Sequence, residues 1–242
     1  MALHKRKILT IIPARGGSKG LPKKNIKLLL GRPLIAYTIK QALNSRFPDK
    51  VIVSTDSKEI AKISKKYGAE VPFLRPKKFA QDTSPSIDVI IHALDWLKKK
   101  RKEKFDILVL LEPTSPLRKD DDIDNAIQLF VKNINRADSL VGIGEINSDT
   151  EHPYGIKKIE NGYVKSFIKH KRFNQRQQLP KVYSVYGGIY ISTPDKLRKH
   201  RTFYQKRTIP YLLQPWQNYE IDDIYDFICV EAILKHRLNK KI

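Results

Sequence analysis

The stretch ILTIIPARGGSKGLPKKN, residues 8–25, decides the fold class because it joins a short apolar run to a loop rich in glycine and cationic side chains. An apolar run of this length before a glycine-rich loop predicts a buried strand that ends at the edge of a sheet. Glycine lets backbone N–H groups approach a ligand closely, and the Arg and Lys side chains favour an anionic one. We therefore expect the loop to hold a polyphosphate, with a solvated turn as the alternative.

The spacing within this loop excludes two common phosphate-binding motifs. The letters GGSKGLPKKN contain neither G-x-x-x-x-G-K-[ST] nor G-x-G-x-x-G. The first is the signature of P-loop nucleotide hydrolases and the second that of dinucleotide-binding domains. The loop therefore predicts phosphate binding of another kind.

Apolar runs and helical periodicities alternate along the first 144 residues. Strands are predicted over 8–13, 50–55, 70–74, 106–111 and 139–144, and helices over 32–46, 57–68, 84–97 and 120–133. Strands that alternate with helices in this way form an open, mostly parallel sheet with helices on both faces. Ligands bind such sheets at the loops beyond the carboxyl ends of the strands, where the glycine-rich loop lies.

The pattern changes near residue 150. Residues 154–167 have alternating apolar positions around an Asn-Gly pair, which predicts a β-hairpin, and residues 182–192 predict a strand pair or a strand with a bend. A last helix begins near Ile224. We interpret residues 1–242 as a single domain in which about 150–192 form a β-rich insertion.

Composition narrows the class of protein further. The 242 residues carry 47 Lys and Arg against 25 Asp and Glu, a formal charge of +22, which suits anionic substrates, nucleic acid or a membrane surface. No RNA-binding aromatic motif or zinc-finger spacing accompanies the charge, so no nucleic-acid partner is expected. No apolar run is long enough to span a bilayer, so we expect a cytoplasmic protein with no membrane partner. The single cysteine, Cys229, lies in an apolar segment and is predicted to be a buried, inert thiol.

Six motifs occur in an order that resembles a known family. They are IIPARGGSKGLPKKNIKLLLGRPLIAYTI, VIVSTDS, FAQDTSPSIDV, LLEPTSPLR, QRQQLPKVY and GGIYI. Together they are similar, over nearly the whole chain, to the CMP-sialic acid synthetases, the cytidylyltransferases that activate sialic and other nonulosonic acids. The resemblance implies a Rossmann-like nucleotidyltransferase fold and a homodimer in which the β-rich excursion of one subunit reaches toward the other's site. It also implies a Mg²⁺-dependent reaction of CTP with a keto acid sugar, giving a CMP-sugar and pyrophosphate.

The resemblance also implies residues for the nucleotide and for catalysis. Arg15, Lys24 and Asp222 are the implied catalytic residues, since attack on the α-phosphorus needs fixed cations around developing negative charge. The implied nucleotide contacts are Ala14, Arg15, Gly16, Lys24, Asn25, Arg75 and Ser86. For Ser86, capping of the following helix is an equally good reading.

A magnesium site is implied near the C-terminus. Glu220 and Asp222 are two residues apart in an extended segment, so their carboxylates project from the same side. Mg²⁺ prefers one or two carboxylates together with phosphate oxygens and water. Family members have Asp at the position of Glu220. Helix capping by Asp222 and Asp223 is the alternative reading.

The acceptor side departs most from the family pattern. The implied sugar contacts are Glu112, Arg176, Gln177, Tyr186 and Tyr190. Glu112 replaces a glutamine and Tyr186 an asparagine. At position 112 a neutral amide that can donate has thus become a carboxylate that only accepts hydrogen bonds when ionised. We therefore expect a legionaminic or otherwise modified nonulosonic acid as the acceptor. Two alternatives stay open for the substrates, namely another nucleotide and an eight-carbon keto acid. For Glu112 the alternative is a structural ion pair with a nearby Lys or Arg.

Overall fold

The computed structural model describes residues 6–146, 152–168 and 178–239. Arg176 and Gln177 lie outside these ranges. The strands within them are β1 Ile8–Pro13, β2 Leu28–Leu29, β3 Arg32–Pro33, β4 Lys50–Ser54, β5 Ile107–Leu110, β6 Ser139–Glu145, β7 Lys157–Glu160, β8 Tyr163–Ser166, β9 Tyr183–Ser192 and β10 Thr208–Leu213. The α-helices are α1 Leu34–Asn44, α2 Lys58–Lys66, α3 Ser86–Trp96, α4 Asp122–Lys132, α5 Pro194–His200 and α6 Ile224–Asn239. None of the described helices is long and apolar enough to cross a bilayer.

The central sheet has the strand order β10-β6-β9-β5-β1-β4. Strand β1 runs parallel to both β4 and β5, and β10 runs parallel to β6, whereas β9 is antiparallel to β5 and β6. The prediction of a mostly parallel sheet is therefore confirmed. Because β1, β4 and β5 share a direction, their carboxyl ends and the loops that follow them meet at one edge of the sheet.

Helices cover both faces of this sheet, as predicted. Side chains of β1 alternate between the two faces, so that Ile8 and Ile12 join one apolar core and Leu9 and Ile11 join the other. Helices α1, α2 and α4 pack on the first core, and α3 and α5 pack on the second. This two-sided burial explains why β1 reads as a continuous apolar run.

The ends of α2 follow from its sequence. The Ser57 hydroxyl accepts a hydrogen bond from the Ile60 N–H at 3.3 Å, and Gly68 follows the helix with φ +97°. A serine cap at the start and a glycine of positive φ after the end confirm the predicted limits. In the β7–β8 hairpin, Asn161 and Gly162 have φ of +53° and +79°, which also confirms the predicted Asn-Gly turn.

Three predictions about elements need correction. Residues 70–74 form only isolated bridges, from Glu70 to Ile52 and from Leu74 to Thr55, rather than a full strand. Residues 183–192 form one strand with a bulge in its pairing with β6, which confirms the predicted strand with a bend. This strand lies inside the central sheet, however, so that of the predicted β-rich insertion only the hairpin stands apart among the described residues. Cys229 is exposed on α6 rather than buried, because the buried face of that helix carries Phe227 and Val230.

Candidate active site

A cleft of about 460 Å³ lies at the carboxyl edge of β1, β4 and β5. The predicted site residues that line it are Arg15, Lys24, Asn25, Arg75, Ser86, Glu112, Glu220 and Asp222. They come from segments far apart in the chain. The topology brings them together because β1 and β5 end side by side, which places Arg15 and Glu112 in neighbouring loops.

The glycine-rich loop is held in shape by its own polar groups and by a close backbone contact. The Asn25 amide donates a hydrogen bond to the Arg15 carbonyl at 3.0 Å, and Lys24 forms an ion pair with Asp222 at 3.0 Å. A Cβ on Gly20 would lie 2.5 Å from the backbone oxygen of Asp222, closer than real Cβ atoms approach. Glycine is therefore required at position 20 for the loop to pack against the segment that carries the carboxylates.

The cationic end of the cleft is formed by Arg15, Lys19 and Arg75. Arg15 and Lys19 both bind the Asp82 carboxylate, Lys19 at 2.6 Å. Arg75 is 5 % exposed, its nearest carboxylate oxygen, on Asp56, is 3.8 Å away, and its Nε has no hydrogen-bond partner among the described residues. Burial lowers the pKa of Arg75, and Arg15 nearby adds to the effect. A buried guanidinium with so weak a partner favours an anionic or hydrogen-bond-accepting ligand.

Two predicted nucleotide contacts lie behind the cleft wall. The Ala14 N–H donates to the Ser54 carbonyl at 3.0 Å, and the Gly16 N–H donates to the Asp56 carboxylate at 2.9 Å. Both amide donors are thus used within the protein, and neither residue lines the cleft. Asp56, two residues after the end of β4, orients the glycine-rich loop.

Ser86 opens α3 on the opposite wall of the cleft. The residue before it, Pro85, occupies the N-cap position, and no side chain caps the helix. The Ser84 hydroxyl instead donates to the Lys78 carbonyl at 3.0 Å and accepts from the Gln81 N–H at 3.1 Å. The capping role considered for Ser86 is therefore not observed, and its side chain lines the cleft.

The carboxylate end of the cleft is built around Glu220. The Thr114 hydroxyl donates to Glu220 Oε1 at 2.7 Å, and the Gly187 N–H donates to Oε2 at 3.4 Å. A Cβ on Gly187 would lie 2.9 Å from Oε1, so a glycine there lets the carboxylate reach the backbone. Thr114 and Gly187 therefore fix where Glu220 points.

Asp222 and Asp223 have different roles. Asp223 accepts from the backbone N–H groups of Tyr225 and Asp226 at 2.8 and 3.0 Å, so it caps α6. Asp222 lines the cleft and pairs with Lys24. Capping thus explains Asp223 but not Asp222.

The donor set of this end fits a magnesium ion that is shared with a triphosphate. Glu220 and Asp222 line the same cleft, and the described residues contain no group of three or more His, Cys, Asp or Glu side chains that could hold a metal. Mg²⁺ typically takes one or two carboxylates and completes its shell with phosphate oxygens and water. Two carboxylates beside a cationic phosphate loop match that requirement, whereas they would not make an all-protein metal site.

Glu112 stands between the two ends with no ion pair from the described residues. Arg118 donates to the Glu112 backbone carbonyl at 2.6 Å and to Thr38 at 3.2 Å, and it also binds the Gly188 carbonyl, so it holds the loop rather than the carboxylate. Burial, reinforced by the negative charge of Glu220, raises the pKa of Glu112 to about 7. A protonated Glu112 can donate a hydrogen bond as an amide does. The sequence analysis considered only the ionised form, which accepts hydrogen bonds but does not donate them.

The other predicted sugar contacts are dispersed. Tyr186 lines a neighbouring depression of about 630 Å³ that shares Glu220 and Asp222 with the cleft. Tyr190 packs in the core under the sheet, 5.3 Å from the Phe203 ring, and lines neither depression. Burial raises the pKa of the Tyr190 phenol. Its role as a sugar contact stays a prediction, since the structure places its side chain against the core that contains α3 and α5 and not in the lining of the cleft.

The functional residues that sequence reasoning missed are those that position others. Thr114 and Arg118 belong to the LLEPTSPLR motif, which indicated their importance but not their partners. Asp82 belongs to the FAQDTSPSIDV motif, whose letters do not show that its carboxylate binds two cations across the cleft. Such roles depend on contacts between distant segments, and no local pattern encodes them.

A doubly covered, mostly parallel sheet with a cationic glycine-rich loop and facing carboxylates defines an α/β nucleotidyltransferase. Residues 9–240 match the Cytidylyltransferase family, and the protein belongs to it. The chain is 36 % identical, over 95 % of its length and 97 % of the relative, to the CMP-N,N'-diacetyllegionaminic acid synthase of Legionella pneumophila. It is 32 % identical to the N-acylneuraminate cytidylyltransferase of Escherichia coli, over 98 % of the chain but 54 % of that protein. A CTP-bound CMP:2-keto-3-deoxy-manno-octonic acid synthetase has the same fold, with a TM-score of 0.70 at 17 % identity over 96 % of this chain and 99 % of that one.

Proposed function

We propose that this cytidylyltransferase activates a nonulosonic acid, transferring CMP from CTP to the anomeric hydroxyl of the sugar with release of pyrophosphate. The observation that carries the proposal is the arrangement of one cleft, with Arg15, Lys19 and the buried Arg75 at one end, and with Glu220 and the Lys24–Asp222 ion pair at the other. The relative that makes CMP-N,N'-diacetyllegionaminic acid matches over nearly its full length, which supports the class of acceptor.

The cleft residues would act on charge and position. The sugar hydroxyl oxygen forms a bond to the α-phosphorus, and the bond from that phosphorus to the bridging oxygen of the β-phosphate breaks. The electron pair of that bond leaves on pyrophosphate, and the hydroxyl proton passes to solvent water. Negative charge grows on the transferred group and on the departing pyrophosphate, and Arg15 and Lys24 would stabilise it. Arg75 and Ser86 would hold the nucleotide, with Ser86 toward the cytosine. Tyr186, which lines the same depression as Glu220 and Asp222, would contact the sugar.

Magnesium belongs to the same proposal. Glu220, oriented by Thr114, and Asp222 would hold the ion against the triphosphate. When bound, Mg²⁺ would neutralise phosphate charge and orient the polyphosphate. We expect EDTA to abolish turnover and Mg²⁺ to restore it.

Glu112 supports a modified nonulosonic acid as the acceptor. Its carboxyl group lines the cleft and takes no ion pair from a described Lys or Arg, so the alternative of a structural pair at this position lacks an observed partner. An acceptor that offers an amino or an additional hydroxyl group would give this carboxyl group a partner. A legionaminic-type acid is such an acceptor.

We also propose a homodimer assembled through the β7–β8 hairpin. Ile159, Tyr163 and Val164 are 80 %, 71 % and 72 % exposed, and an isolated two-stranded hairpin is only marginally stable in water. A second copy would cover these side chains. The exposed, unpaired Cys229 thiol suits a reducing compartment, so the cytoplasm is the proposed location.

A substrate panel tests the proposed reaction. The protein is incubated with Mg²⁺, each of the four nucleoside triphosphates, and N,N'-diacetyllegionaminic acid, N-acetylneuraminic acid or an eight-carbon keto acid, and pyrophosphate release is measured. We expect release with CTP and a nonulosonic acid. Release only with another nucleotide or only with the eight-carbon acid would favour those alternatives, and Arg15→Ala is the inactive control.

A further inference from the structure

Residues 80–85 form the wall of the cleft that faces the glycine-rich loop, between a 3₁₀ turn at Lys77–Phe79 and helix α3. Ser84 shapes this segment through its hydrogen bonds to Lys78 and Gln81. Asp82 lies in the turn so formed, and its side chain crosses to the opposite wall.

Both carboxylate oxygens of Asp82 are used on the far wall. Oδ1 accepts from Arg15 Nη1, and Oδ2 pairs with Lys19 Nζ at 2.6 Å. These two contacts lower the pKa of Asp82. Asp82 is therefore an ionic bridge between the two walls, and its anchors are two cations of the loop assigned to the triphosphate.

A triphosphate that uses Arg15 and Lys19 conflicts with this bridge. The Arg15 N–H group and the Lys19 ammonium that bind Asp82 would have to turn to phosphate oxygens, or share their charge between two anions. The Asp82 carboxylate would also repel phosphate oxygens at the same place, and solvent screens part of this repulsion because the side chain is 42 % exposed. The two sets of contacts therefore oppose each other.

We propose that Asp82 competes with the polyphosphate for Arg15 and Lys19, so that nucleotide binding opens the bridge and its return helps to expel pyrophosphate. The inference rests on the proposed function, since it takes the triphosphate as the ligand of this loop. Asp82 is thus a positioning residue whose negative charge weakens the binding of CTP and pyrophosphate by Arg15 and Lys19.

Asp82→Asn tests the competition, because it keeps the shape of the side chain and removes the charge. Binding of CTP, pyrophosphate and cytidine is measured by calorimetry with Mg²⁺ and no acceptor. Two exposed ion pairs predict a gain of about 3- to 10-fold in affinity for CTP and for pyrophosphate, with cytidine unchanged because it carries no phosphate. Pyrophosphate should also become a stronger product inhibitor by a similar factor.

Glu59→Gln is the matched control. Glu59 pairs with Lys23 of the same loop at 3.1 Å, and neither residue lines the cleft, so removing this carboxylate should leave all three affinities unchanged. Equal or weaker CTP binding in Asp82→Asn would overturn the competition, and so would an equal gain for cytidine, which would mean that the wall itself had changed. Wild-type protein that binds no CTP would overturn the proposed function together with this inference, whereas normal binding without the gain would overturn the inference alone.

Discussion

Replacing Glu112 with glutamine should stabilise the protein at alkaline pH and have little effect at acid pH. The side chain lines the cleft without an ion pair from the described residues, and burial beside Glu220 raises its pKa from 4.5 to about 7. The ionised form is therefore disfavoured in the folded protein relative to the unfolded chain. Glutamine has nearly the same shape and no charge to desolvate.

The sign and size of the effect follow from this shift. The folded-state pKa lies above the unfolded value, so the wild type has its full stability below pH 4.5 and loses part of it as the pH rises through 7. A shift from 4.5 to about 7 corresponds to an upper limit of about 3–4 kcal/mol at 1.36 kcal/mol per pKa unit. Because Glu112 keeps some solvent access, we expect Glu112→Gln to gain about 1–3 kcal/mol in unfolding free energy at pH 8.5 and close to nothing at pH 4.5.

Urea unfolding at intervals from pH 4.5 to 9, followed by tryptophan fluorescence with EDTA present, measures this difference. Other groups titrate in both proteins and cancel in the comparison. Glu231→Gln, on α6 in an i,i+4 pair with Lys235, is the control and should show no growing gain with pH. A Glu112→Gln difference that is flat with pH, or largest at acid pH, would refute the account of Glu112 as a buried, unpaired acid.

Four further predictions address the site and the proposed assembly. Arg15→Ala should lower kcat about 100-fold or more while changing the CTP dissociation constant much less, because the charge that Arg15 meets grows in the transition state; steady-state kinetics with equilibrium binding separates the two. Thr114→Val should raise the Mg²⁺ concentration needed for half-maximal rate several-fold, since Glu220 loses the hydroxyl that orients it, and an unchanged Mg²⁺ titration would contradict that role. Gly20→Ala should lower kcat/KM at least 10-fold because its Cβ meets the Asp222 backbone, whereas Gly17→Ala, whose Cβ would have nothing within 4 Å, should stay within about twofold. Light scattering should show that Ile159→Glu combined with Val164→Lys converts a dimer to a monomer; an unaltered mass would place the interface elsewhere.

The local sequence predicts the parallel part of the fold well because each strand there is buried on both faces. The continuous apolar run of β1 and the Ser57 and Gly68 signals around α2 leave few alternatives. The wrong predictions concern segments whose secondary structure or position in the sheet is determined by tertiary contacts. Residues 70–74 have the composition of a strand but pair with the segment around β4 only through isolated bridges. The position of β9 within the sheet depends on its pairing with β5 and β6, which are distant in sequence.

The same division holds for the site. Arg15, Lys24 and Glu112 could be predicted to meet because they follow strands whose carboxyl ends share one edge of the sheet. The face of the sheet to which a side chain of β9 points could not be predicted, because a shift of one residue in the pairing moves that side chain to the other face. Tyr190 packs against the core for this reason. The separate roles of Asp222 and Asp223 likewise depend on which carboxylate reaches the α6 backbone.

The most direct test of the central claim is mass spectrometry of the product formed from CTP, Mg²⁺ and N,N'-diacetyllegionaminic acid. We expect a single conjugate of one CMP and one sugar, formed together with an equal amount of pyrophosphate, and formed about 100-fold more slowly or not at all by Arg15→Ala. A conjugate that retains the β-phosphate, a product formed equally from the other nucleoside triphosphates, or no product with any nonulosonic acid would contradict the claim.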